Sequence, residues 1–175
     1  ADDRLSGRAL CVAGENASVS PNQAGKRAIG GSMAAERRAE VTWRGELFTG
    51  EGTITSVGSG AFGPLDVTWP SRAEDPDGRT SPEELIAAAH ASCYCMALSN
   101  GLTKGGNPPE ELRASATVTL VPGTGITSST LTVVGKVPGI DAAGFKEAAE
   151  AAKDGCPVSG ALKGNVELSV DATLE

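Results

Sequence analysis

The stretch SPEELIAAAHASCYCMAL, residues 81–98, decides the fold because it predicts one long helix that carries two cysteines. Ser81 suits the N-cap position of a helix, and Pro82 suits the first position inside it. Glu83 lies in the first turn, where a negative charge complements the helix dipole. The helix is predicted to end just before Gly101, since glycine often terminates helices.

Segments in which apolar and polar residues alternate lie on both sides of this helix and indicate strands. The predicted strands are 39–44, 52–57 and 65–69 before the helix, and 111–121, 128–137 and 166–174 after it. A second helix is predicted over 142–153, ending at Gly155. Strands on either side of helices favour the α+β fold class.

The helix geometry predicts which side chains share a face. At 100° per residue, Leu85, Ala89, Cys93 and Met96 lie on one stripe, and Ile86, His90 and Ala97 lie beside it. This side of the helix is predicted to face the core. Cys95 comes two residues after Cys93 and is therefore turned by about 200° away from it. The two cysteines cannot form a local disulfide without unwinding the helix.

Cys156 is a second candidate for chemistry because it lies between two predicted helices. Gly155 ends one helix, and Pro157 suits the first turn of the next, so Cys156 falls at an N-cap. Backbone N–H groups and the helix dipole favour a thiolate there. A cysteine on a helix and a second at a helix start suit a thiol peroxidase. Each, taken alone, also suits a structural role, Cys93 as a small buried hydrophobe and Cys156 as an inert cap.

His90, the only histidine, precedes Cys93 by about one helical turn. It is interpreted as a hydrogen-bonded packing residue, with a Cys–His pair as the alternative. A zinc site made of His90, Cys93, Cys95 and Cys156 does not fit, because Cys95 points away and four ligands must converge.

The composition excludes several classes of partner. The net charge of -7 over 175 residues gives no electrostatic reason to expect nucleic acid or an anionic membrane as a partner. No apolar run was expected to reach the roughly 20 residues of a membrane span. The cysteines are too few for a disulfide-rich secreted protein, so a cytoplasmic protein with reactive thiols is predicted.

The first 32 residues differ from the rest of the chain. Their apolar residues show no sustained helical or strand periodicity. They end in Gly30-Gly-Ser32 before Met33. Residues 1–32 are interpreted as an expression leader or a disordered extension, and residues 33–175 as the functional domain.

A reactive thiol needs a nearby cation that lowers its pKa and polarises the peroxide bond. Arg72 and Arg79 lie in the polar stretch just before the long helix. Glu83 is well placed to orient one of them.

At these residues the chain resembles the OsmC/Ohr family, in particular its OsmC branch. The resemblance runs from about Glu40 to the C-terminus. It is strongest over 81–93 with 96–99, over 137–141 and over 155–159.

The resemblance implies an OsmC-like fold, with antiparallel sheets wrapped around long central helices in an intertwined homodimer. It implies a thiol peroxidase that reduces organic hydroperoxides in preference to hydrogen peroxide and draws on an external dithiol. Metal, flavin and haem are not expected. Cys93 would be the peroxidatic cysteine and Cys156 the resolving one. Glu83 would pair with the active-site arginine, for which Arg72 is the first choice and Arg79 the alternative.

The spacing along the helix agrees with a shared site. Ten residues separate Glu83 from Cys93, about 15 Å along a straight helix. Arg72 and Glu83 are therefore predicted to reach Cys93 of a partner subunit. Two other functions stay open, a redox-sensing or ligand-binding module with little turnover and a thiol hydrolase built on Cys93 and His90.

Overall fold

The computed structural model describes residues 28–29 and 32–175, with side chains from residue 34 onward. The chain divides into two units between Arg38 and Ala39. In the first unit, strands β1 (Ala28–Ile29) and β2 (Ser32–Met33) pair antiparallel. Most of the predicted leader lies outside the described residues, so that interpretation stays a prediction.

The second unit begins with a three-stranded antiparallel sheet. Its strands are β3 (Ala39–Arg44), β4 (Glu51–Val57) and β5 (Leu65–Thr68), in that order. Every residue of β3 is exposed. Several large apolar side chains of this region are exposed as well, namely Val41, Trp43, Leu47, Phe48 and Phe62.

A short helix, α1 (Trp69–Ala73), follows β5 where the sequence suggested only a strand end. Thr68 and Ser71 form a capping box, in which each side chain accepts a hydrogen bond from the other residue's backbone N–H. Pro70 fits the first turn. This local start signal fixes Arg72 just ahead of the long helix.

The long helix, α2, spans Pro82–Lys104. Ser81 is its N-cap, as predicted, and its hydroxyl accepts a hydrogen bond from the N–H of Glu84 at 3.1 Å. The predicted end before Gly101 is wrong. A glycine inside a helix costs only about 1 kcal/mol, and buried Leu102, 2% exposed, holds the last turn against the core.

The second half of the chain forms one sheet and two helices. Strands β6 (Glu111–Val121) and β7 (Gly125–Lys136) pair antiparallel, and β8 (Glu167–Leu174) lies beside β7. Helices α3 (Ala142–Gly155) and α4 (Pro157–Leu162) connect β7 to β8. This crossover brings β8 back parallel to β7, so the sheet is mixed rather than wholly antiparallel. The α+β class is confirmed.

The buried face of α2 differs from the predicted stripe, although His90, predicted to lie beside that stripe, is part of it. His90, Tyr94 and Leu98 are 0% exposed and pack into the core with Leu102. From the predicted stripe, Ala89 and Met96 are exposed, whereas Cys93 is half-buried. Because α2 is apolar on nearly every side, its sequence period could not identify the face that the sheet and α3 cover.

The expectation that no segment suits a membrane span also needs correction. By length and composition alone, Pro82–Lys104 is apolar enough to cross a bilayer. Core helices meet the same criterion, and α2 packs against β6 and α3 in this fold.

Candidate active site

Cys93 and Cys156 come together from α2 and from the start of α4. Both are free thiols, and their sulfur groups interact directly. Cys93 is half-buried, whereas Cys156 is 1% exposed. The N–H of Cys156 donates to the carbonyl of Lys153 at the end of α3, which fixes the turn between the two helices. The two thiols that the sequence singled out therefore lie together, with Cys93 packed against the part of the core that contains Cys156.

The surroundings of the two sulfurs shift their pKa values in opposite directions. Burial raises the pKa of Cys93, and the neighbouring Cys156 raises it further, although the amide of Val158 acts in the opposite direction. Burial alone would also raise the pKa of Cys156. The amide of Ser159, the Cys93 thiol and the Ser159 hydroxyl outweigh that effect and leave the pKa of Cys156 below its ordinary value.

Cys156 occupies the N-cap of α4, as predicted. Its sulfur does not complete a regular capping hydrogen bond. The amides of Ser159 and Val158 nevertheless lie close enough to favour the thiolate. Within a single chain, Cys156 therefore has the lower pKa of the two thiols.

His90 is a buried packing residue, which confirms the preferred interpretation. Its Nδ1 lies 2.7 Å from the hydroxyl of Ser129, and its Nε2 lies 2.9 Å from the hydroxyl of Ser159. Burial lowers the pKa of His90, so the ring is neutral at ordinary pH. Both ring nitrogens are engaged by serines, and neither contacts Cys93 as a hydrolase would require.

Arg72 and Glu83 form a second cluster, at the start of α2. Nε of Arg72 lies 3.0 and 3.2 Å from the two carboxylate oxygens, and Nη2 lies 2.7 Å from Oε1. The guanidinium carbon also lies 5.9 Å from the centre of the Trp69 ring. Arg79 instead pairs with the exposed carboxylate of Asp77 at 3.0 Å.

The ion pair borders a cavity of about 350 Å³ between the start of α2 and strand β6. The carboxylate of Glu83 is nearly buried, at 9% exposure, whereas Arg72 is 31% exposed. Half-buried apolar side chains complete the wall, namely Ala87, Ala116, Val118 and Leu120. A half-buried cation next to an apolar wall suits a ligand with one polar end and one apolar end.

The structure thus builds two clusters in each chain. Cys93 and Cys156 form one, and Arg72 and Glu83 form the other, about 15 Å earlier along α2 by its rise per residue. Cys95 belongs to neither cluster. It lies against β6 near Ala114, and burial raises its pKa.

Two residues near the thiols, Ser129 and Ser159, were not identified from the sequence. Both are buried serines that bond to His90. Ser159 could have been identified from the sequence, because it lies in the first helical turn after Cys156. Ser129 had none, because only the packing of β7 against α2 brings it to the ring.

The chain is similar to known proteins over most of its length. A family model described as OsmC-like protein matches residues 75–171. The peroxiredoxin OsmC of Escherichia coli (strain K12) is 39% identical over 139 residues, which covers 78% of this chain and 96% of that protein. The peroxiredoxin OsmC of Shigella flexneri matches to the same extent.

Solved structures show the same fold. The organic hydroperoxide resistance protein OhrB of Bacillus subtilis is 26% identical, with a TM-score of 0.55 over 78% of this chain and 98% of that one. An organic hydroperoxide resistance protein OsmC from Legionella pneumophila, 20% identical, has a TM-score of 0.57 over 78% and 96% of the two chains.

The fold and the paired thiols define an α+β protein with two neighbouring cysteines, Cys93 and Cys156, and an ion pair at the start of its long helix α2. The family match and the identity to the curated relatives identify it further, and the chain belongs to the OsmC-like family.

Proposed function

We propose that this protein is a thiol-dependent peroxidase that reduces organic hydroperoxides to alcohols. One observation carries the proposal, the contact between half-buried Cys93 and the buried, thiolate-favouring Cys156. A sulfenic acid formed on Cys93 would have a nucleophile beside it, as disulfide resolution requires. The names of the relatives, peroxiredoxin and organic hydroperoxide resistance protein, support the same activity.

The reaction begins at Cys93. Its thiolate attacks the distal oxygen of the hydroperoxide, the O–O bond breaks, and the alkoxide leaves and takes up a proton as an alcohol. The sulfur is oxidised by two electrons to a sulfenic acid. Cys156 then attacks that sulfur as a thiolate and expels hydroxide, which is protonated to water. An external dithiol reduces the resulting disulfide by exchange.

The raised pKa of Cys93 means that a single chain does not activate its own nucleophile. We propose that Arg72, oriented by Glu83, supplies the missing cation to Cys93 of a partner subunit in a homodimer. The bonds to Glu83 use Nε and Nη2 of Arg72, so Nη1 can face an anion. The apolar wall beside Arg72 would receive the alkyl part of the hydroperoxide.

The exposed apolar surface supports such a dimer. Only five of the 23 residues of α2 are buried in a single chain, although the helix is largely apolar. The β3–β5 sheet exposes further large apolar side chains. Apolar surface of this extent is typical of an interface.

The decisive experiment measures dithiol-driven consumption of cumene hydroperoxide and hydrogen peroxide by the wild type and by Cys93→Ser. We expect faster loss of the organic peroxide, abolished in Cys93→Ser. The Cys156→Ser variant should complete one turnover and then accumulate overoxidised Cys93. Equal, slow rates in the wild type and Cys93→Ser would contradict the proposal and favour a sensing or binding module.

A further inference from the structure

Behind Cys156, three polar side chains form a buried row that the proposed reaction does not yet use. They come from three elements, Ser129 from β7, His90 from α2 and Ser159 from α4. Ser129 and His90 are 0% exposed and Ser159 is 3% exposed. Polar groups in an apolar core are costly unless they are paired, and here the ring of His90 bonds to both hydroxyls at 2.7 and 2.9 Å.

The row ends at the sulfur of Cys156. Ser159 lies one helical turn after Cys156. Hydrogen bonds from its amide and its hydroxyl lower the pKa of the Cys156 thiol. If the Ser159 O–H donates to a Cys156 thiolate, its oxygen must accept from Nε2–H of His90. Nδ1 of His90 then accepts from the O–H of Ser129. In this order, each hydrogen bond of the row polarises the next hydrogen bond and strengthens it.

We propose that the row Ser129–His90–Ser159 is a hydrogen-bond relay that positions Cys156 and holds its sulfur as a thiolate. Its members are positioning residues, because they act on substrate only through Cys156. The inference rests on the proposed peroxidase function and adds to it a device that controls the resolving cysteine.

The relay has a role in both halves of the cycle. In resolution, the Cys156 thiolate attacks the Cys93 sulfenic acid, and the S–S bond forms as hydroxide leaves. In reduction, an external thiolate reaches the half-buried sulfur of Cys93, because Cys156 is 1% exposed. The S–S bond breaks, and the two electrons of that bond leave with Cys156 as a thiolate. A leaving thiol with a lower pKa leaves faster.

Other titratable groups also face Cys156. Among the described residues, Cys93 and Tyr94 of α2 interact with it. The hydroxyl of Tyr94 donates to the carbonyl of Ala149, and burial raises the pKa of Tyr94, so this phenol stays neutral. From β7, the group that reaches the row is the uncharged hydroxyl of Ser129.

The variant Ser159→Ala removes the last donor of the relay with the smallest change in volume. Quenched single-turnover reactions with cumene hydroperoxide would follow sulfenic acid and disulfide separately by mass spectrometry. We expect sulfenic acid formation within about twofold of the wild type. Disulfide formation should slow by roughly threefold to tenfold, since the lost thiolate fraction is partly offset by higher nucleophilicity. Ser159→Thr should restore the rate. Ser169→Ala, which removes an exposed hydroxyl on β8, is the matched control.

A second measurement needs no peroxide. Absorbance at 240 nm reports the thiolate of Cys156 in a background in which the other three cysteines are serine. Ser159→Ala should raise the titration midpoint by about one pH unit. An unchanged midpoint, or wild-type disulfide formation in Ser159→Ala, would overturn the relay. Failure of the wild type to form any sulfenic acid would instead overturn the peroxidase function, and the titration would still decide on the relay.

Discussion

The proposed dependence of Cys93 on a partner's arginine can be tested by the variant Arg72→Ala. The size of the effect follows from distance. Within one chain, about 15 Å separates the Arg72 cluster from Cys93. At an effective dielectric constant of 20, a unit charge at that distance contributes about 1 kcal/mol, and the paired carboxylate of Glu83 reduces this further. At 4 Å from a partner's sulfur, the same charge contributes about 4 kcal/mol.

These energies predict different losses in rate. A contribution of about 4 kcal/mol corresponds to roughly a thousandfold in the equilibrium between the thiol and the thiolate of Cys93. Higher nucleophilicity at higher pKa offsets part of that loss. We therefore expect Arg72→Ala to slow sulfenic acid formation by about thirty- to a thousandfold. Arg79→Ala removes an equal charge from the segment between α1 and α2 and should change the rate less than about twofold.

Mixing two inactive variants shows which subunit supplies the arginine. A hybrid dimer of Arg72→Ala with Cys93→Ser contains one site with both residues only if Arg72 acts across the interface. Equal mixing after unfolding and refolding gives about half hybrids, and so about a quarter of the wild-type activity. The assay is consumption of cumene hydroperoxide, with size-exclusion chromatography to confirm the dimer. A mixture that stays inactive, a loss below about tenfold in Arg72→Ala, or a fully active monomer would refute the reasoning.

The remaining predictions concern stability and protonation. His90 should stay neutral in the folded protein below its ordinary pKa of about 6.5, because burial lowers its pKa. The unfolded chain then binds the extra proton, so the contribution of His90 to stability is present above about pH 6.5 and is lost as the pH falls below it. Urea unfolding at pH 7.5 and 5.5 should show this loss, and a conservative His90→Gln variant with the same loss would contradict it. Gly135→Ala would place a methyl carbon 2.4 Å from the ring of Phe145, which is 0% exposed, and should destabilise the fold by about 1–3 kcal/mol. Gly101→Ala, where the space is open, should instead stabilise α2 by about 0.5–1 kcal/mol. Thermal unfolding compares these two variants, and equal shifts in both would contradict the packing argument.

Local signals allowed several elements to be predicted closely. Alternation predicted the bounds of β6, whose side chains are alternately exposed and half-buried along the whole strand. The same sequence pattern predicted the bounds of β3, although every residue of that strand is exposed. Ser81 and Pro82 fixed the start of α2 because caps act within a single turn. The end of α2 was misjudged, since Leu102 is held by contacts distant in sequence.

The sequence by itself determined the α+β class, the two cysteines of interest, the glutamate in the first turn of the long helix and two candidate arginines ahead of that helix. Those features depend on spacing along one element, which the chain carries directly. Only the tertiary structure decided that Arg72 rather than Arg79 pairs with Glu83, and which stripe of α2 is buried. It also decided that Ser129 and Ser159 enclose His90. The physical reason is that α2 is apolar on nearly every side, so packing of β6, β7, α3 and α4 assigns its faces.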